Sequence, residues 1–102
     1  MTNKNKEFFE ELIIEGEKVL KRSDWDGRRY SSGGPSSEEY SSLVYRGMDI
    51  ILKVFNKDSS YYIGLDRIAS DEKKSTNSYY YAHCFGIIKG AHIAYKKLLV
   101  GN

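Results

Sequence analysis

Arg28 and Arg29 come nearest, by type and setting, to a chemical function in this chain. They stand beside Tyr30, several serines and the Gly33-Gly34-Pro35 turn, in the segment SDWDGRRYSSGGPSS that spans residues 23–37. A guanidinium group offers planar, charge-assisted hydrogen bonds to phosphate. Glycine-rich backbone can turn its amides inward on an anion, and the start of a following helix favours negative charge. Trp25 and Tyr30 can stack on a base. Arg46 and Lys89 are two further cations, placed in otherwise apolar helical stretches. Trp25, Arg28, Arg29, Tyr30, Arg46 and Lys89 therefore form a candidate set for a small anionic nucleotide. The plainer reading of the same residues is a solvated loop whose arginines pair with Asp24 and Asp26. Arg46 and Lys89 would then simply reach water along their stems.

Other chemistry finds little support. His83 and His92 are nine residues apart and point to different sides of one helix, and Cys84 adjoins His83. No Cys-x-x-Cys, His-x-x-x-His or Glu-x-x-His spacing occurs, so no metal site is expected. Neighbours on a helix diverge by about 100°, which separates Cys84 from His83 as a catalytic pair. There is no Gly-x-Ser-x-Gly context and no Gly-Lys-Ser/Thr phosphate loop. Neither His follows an Arg closely, as a helical ribonuclease of the HEPN kind would require. The expectation is a binding protein, with no enzyme activity and no cofactor.

Positioning these residues falls to four predicted helices. The first runs from about Lys6 to Arg22, with Phe8, Phe9, Leu12, Ile13, Gly16, Val19 and Leu20 on one face. The second opens on Ser36-Ser37-Glu38-Glu39, which has capping-box spacing, and continues through Tyr40, Leu43, Val44, Gly47, Ile50, Ile51, Val54 and Phe55. A short third helix spans Ser60 to Ala69, capped by Asp58 or Ser59, with Tyr61, Tyr62, Leu65 and Ile68 inward. The fourth runs from Ser78 to Val100 with Tyr80, Cys84, Ile87, Ile88, Ala91, Tyr95, Leu98 and Leu99 as its stripe. Residues 70–77 are polar and read as a loop. The fold class is all-α: one domain over 1–102, a four-helix bundle-like arrangement of three long helices and one short.

Ala82, Gly86, Gly90 and Ala94 recur every four residues in the last helix. Each of two glycines inside a helix costs roughly 1 kcal/mol against alanine. Close approach of another helix, in this chain or in a second copy, is the expected offset; room for a ligand is the alternative. Nine tyrosines exceed what one small core can use, so some should face a partner or a pocket.

Composition bounds the rest. With 102 residues, 40% hydrophobic and 29% charged, the chain has the make-up of a soluble domain with one modest core. A net charge of +2 is too small to suggest sequence-specific nucleic-acid binding. Glu7, Glu10, Glu11 and Glu15 break any signal-like run, no membrane span is present, and a lone Cys cannot form an internal disulfide. A cytoplasmic setting is expected.

YSSLVYRGMDIILKVFNKDSSYYIGLDRI, followed by CFGIIKGAHIAYKKLLVGN and preceded by EELIIEGEKVL, resembles a small helical domain of bacterial anti-phage defence proteins. The matching features are Val54-Phe55-Asn56, Asp58-Ser59-Ser60-Tyr61-Tyr62 and the run from Gly86-Ile87-Ile88-Lys89-Gly90 to Gly101. In that group the domain often precedes a TIR-like nucleotide-binding effector. The resemblance implies an oligomerising or interaction domain and supplies no catalytic residues. With no effector expected after Asn102, the expectation is a free-standing copy of bacterial or phage origin, a homo-oligomer in phage counter-defence. It would bind or sequester a nucleotide signal as a sponge, or bind a bacterial defence protein as an interaction module.

Overall fold

A computed structural model describes residues 4–22, 35–70 and 78–100. Four helices follow in order: α1 (Lys4–Arg22), α2 (Ser37–Val54), α3 (Ser60–Ala69) and α4 (Ser78–Val100). No strand occurs among the described residues, and the all-α, bundle-like arrangement is the one the apolar spacing predicts.

Local chemistry sets the ends. The Ser36 hydroxyl accepts the Glu39 amide at 3.1 Å, and the Glu39 carboxylate accepts the Ser36 amide at 2.9 Å. This closes the predicted capping box, and Pro35 and Tyr40 on either side of it are buried. Between α2 and α3 the chain turns at Asn56, whose φ is 155°. The Asn56 side chain accepts the Asp58 amide at 2.8 Å. Ser59, rather than Asp58, caps α3 by accepting the Tyr62 amide at 3.1 Å.

The faces then pair. Phe9 meets His92 and Tyr95, and Gly16 backs onto Phe85, so α1 and α4 are antiparallel. Tyr40 lies beside Cys84 and Gly47 backs onto Ile88, so α2 runs with α4. Gly64 lies near Ile87 and Gly90 near Tyr61, so α3 returns antiparallel to α4. α2 and α4 form the central pair, and each also packs on α1 and α3.

Every residue of the predicted α1 and α2 faces is buried or half-buried. α4 departs from its predicted stripe. Because it touches three helices, its buried arc is wide and takes in Tyr81, Phe85 and His92 beside Cys84, Ile88 and Ala91. Leu98 and Leu99 are instead 51% and 46% exposed, since they lie beyond Tyr95, the last α4 residue packed on the core.

The two glycines of the small-residue row, Gly86 and Gly90, have no close helix neighbour within this chain. A Cβ at Gly86 would have no atom within 4 Å, and one at Gly90 would meet only Tyr61 Cε1 at 3.5 Å, an ordinary contact. Steps of four residues drift about 40° around a helix each time, so the row turns from solvent toward α3 instead of following one partner. Close approaches fall at Gly16 and Gly47. There a Cβ would overlap the Phe85 ring, or lie 2.5 Å from Ile88 Cδ1.

One expected result follows at Gly86. Alanine meets no obstacle there and removes backbone entropy from the unfolded chain. Gly86→Ala should therefore stabilise the isolated fold by about 0.5–1 kcal/mol. Urea unfolding followed by circular dichroism measures it, and a loss of stability would mean that this position is not open.

Candidate functional site

Trp25, Arg28, Arg29 and Tyr30 lie outside the described residues. Arg46 and Lys89 are described, and they stand apart. The Arg46 Nη1 donates to Glu15 Oε2 at 2.6 Å and Nη2 to Glu15 Oε1 at 3.3 Å, a two-pronged bond from α2 to α1. Nη1 also reaches the Ser42 hydroxyl at 3.1 Å, and the guanidinium lies 5.7 Å from the Phe8 ring centre. That charge ties two helices together. Lys89 sits at the α1–α4 seam, its ammonium 5.3 Å from the Phe85 ring centre. Neither groove that Lys89 borders includes Arg46.

The start of α2 offers an anion little. The amides of Ser36 and Glu39 are each engaged by the other's side chain, and Glu38 adds a second carboxylate in the first turn. The groove of about 810 Å³ beside it is lined by Glu15, Glu38 and Glu39 against Lys18. Its charge is predominantly acidic.

The surface that stands out runs between α1 and α4. A groove of about 530 Å³ is bordered by Ile13, Ile14 and Ile93, with Glu10 on one side and Lys89 and Lys96 on the other. Ile14 is 54% exposed and Ile93 51%. Scattered exposed apolar residues are ordinary on any protein; two large ones bordering one groove form a patch. Glu10, Lys89 and Lys96 form no ion pair among the described residues.

His92 closes this groove from below. It is 8% exposed, its ring stacks on Phe9 at 5.4 Å, and its buried Nε2 bonds no protein group. Burial first, then the positive charge of Lys96 and Lys6, hold its pKa below 6.5, while Glu10 acts the other way. Well above pH 6.5 the ring is neutral in the folded and the unfolded chain, so it imposes no titration cost. As pH falls below 6.5 the unfolded chain takes the proton first, and stability declines until the folded protein's lower pKa is reached. Unfolding measured across pH 4–8 should show this slope, and His92→Phe, which keeps a ring against Phe9, should remove it. An unchanged slope in that variant would place its origin elsewhere.

Burial pushes the Cys84 thiol up to about 11, with the neighbouring Tyr40 acting the other way. The thiol stays protonated at neutral pH and behaves as a small core residue. His83 is exposed on the same helix, and no set of three His, Cys, Asp or Glu side chains able to hold a metal ion occurs among the described residues. No helix there is long and apolar enough to cross a membrane.

Sequence reasoning missed Ile14, Ile93 and Lys96 as members of one surface. The signal available was that Ile14 and Ile93 both fall just outside an otherwise regular apolar stripe. Nothing in their spacing says that the two stripes adjoin.

No family model, no curated protein and no solved structure matches this chain.

Proposed function

We propose that this chain is a non-catalytic helical interaction domain that presents the α1–α4 groove to another protein. One observation supports the reading: Ile14 and Ile93, each more than half exposed, border a single groove rimmed by charges of both signs that form no ion pair among the described residues. A protein partner can cover the apolar floor and match the charged rim, which is the usual division of labour in an interface. The resemblance noted above supplies a setting, phage defence or counter-defence. The nucleotide-binding reading loses two of its supports, since Arg46 is engaged by Glu15 and the start of α2 is capped and acidic.

The test is a photo-reactive amino acid placed at Ile93 and, as a control, at exposed Lys53 of α2 in cells that make the chain. Protein adducts at position 93 and none at position 53 are expected. Equal labelling, or none, would overturn the reading. Titration calorimetry against cyclic and linear nucleotides checks the other side. Heat abolished by Arg28→Ala with Arg29→Ala would restore the anion-binding reading.

A further inference from the structure

We infer that the protein seated on the α1–α4 groove is a second copy of this chain, paired about a two-fold axis parallel to the helices. This rests on the interaction-domain reading and names its partner. A two-fold contact sets the same surface against itself, so the surface must complement itself. This one carries Glu10 on α1 and Lys89 and Lys96 on α4, on opposite sides of an isoleucine floor. None of the three forms an ion pair within the chain among the described residues.

The levels along the helices give the match its detail. Within one copy, Phe9 is level with His92 and Gly16 with Phe85. An axis parallel to the helices preserves level and sets α1 of one copy against α4 of the other. Ile14 of one copy then comes level with Gly86 and Ile87 of its partner, and Glu10 comes level with the stretch from Lys89 to Ile93. Gly86 is exposed with no atom within 4 Å of its Cβ position, so it offers a notch to the projecting Ile14. The glycine that no contact within the chain explains is thereby explained by the partner. Gly86 and Ile93 are seven residues apart, two helical turns, and so share one outward line on α4. The acid of each copy meets the base of the other, and the apolar floor is covered twice over.

Sedimentation velocity of the full chain from about 10 µM to 1 mM tests this. Concentration-dependent dimers are expected. Ile14→Glu places a charge where the floor is covered and should raise the dimer dissociation constant at least about tenfold. Gly86→Leu should weaken the dimer as much while leaving the melting temperature of the dilute chain unchanged or higher, because the notch is open in one copy. Glu10→Lys and Lys89→Glu should each weaken association about fivefold and together restore it. A chain monomeric at 1 mM, or a dimer indifferent to Ile14→Glu and Gly86→Leu, overturns the inference. If the chain is monomeric and the probe at position 93 labels a different protein, the inference fails and the interaction-domain reading stands. If that probe labels nothing, both fail.

Discussion

Phe9→Ala should lower the free energy of unfolding by about 3–5 kcal/mol. Phe9 is fully buried, with its ring 5.4 Å from His92 and 5.7 Å from Tyr95 across the α1–α4 seam. Removing the ring deletes its transfer free energy and leaves a hole that helices on both sides fill only in part. A domain of this size is stable by about 5–15 kcal/mol in total, so the variant sits near the edge of folding. A second effect distinguishes this substitution from an ordinary core truncation. Water admitted beside His92 would relieve part of the burial that holds its pKa down. The stability loss below pH 6.5 should therefore be shallower in Phe9→Ala than in the parent chain. Urea unfolding at pH 5 and pH 8 reads both numbers. A cost under about 1 kcal/mol would show that the ring is not held between these helices.

Gly16→Ala and Gly47→Ala should each destabilise the fold by about 1–3 kcal/mol, against the gain expected for the same change at Gly86. All three glycines sit inside helices, where alanine is intrinsically better by about 1 kcal/mol. Surroundings decide the sign. At Gly16 the added methyl overlaps the rigid ring of Phe85, which is itself buried and covered by Lys89. At Gly47 it meets Ile88 Cδ1 at 2.5 Å and Cγ1 at 2.9 Å. Ile88 is fully buried, so its side chain has little room to retreat. The larger loss is expected at Gly16, because an aromatic ring moves as one body whereas an isoleucine can turn its terminal methyl. Thermal melts of the three alanine variants, taken together, test the packing of α1 and α2 on α4. A gain at all three positions would mean that neither close approach exists.

These glycines show where reading the sequence stops. Gly16 and Gly47 entered only as gaps in the apolar faces of their helices, and Gly86 with Gly90 as a row that promised close packing. Periodicity places a residue on a face; it does not say how near the opposite helix comes. That distance depends on side chains from another part of the chain, Phe85 for Gly16 and Ile88 for Gly47. The capping residues were different. Ser36 with Glu39 and Ser59 with Tyr62 act within three residues of each other, so their partners were already adjacent in the sequence.

The candidate site divides along the same line. Arg46 was legible as an unusual cation in an apolar helix. That Glu15, 31 residues away, engages it could only come from the pairing of α1 with α2. His92 was legible as one of two histidines without metal spacing, and its burial against Phe9 required the pairing of α1 with α4.

By itself, then, the sequence determined four helices, the capping box of α2 and the inward faces of α1 and α2, because a 3.6-residue period and short-range hydrogen bonds are local properties. Only the tertiary structure decided which glycines receive a neighbour, which cations are engaged, and that Ile14 and Ile93 form one surface. Each of these is a distance between side chains far apart in the chain, set by how whole helices pack.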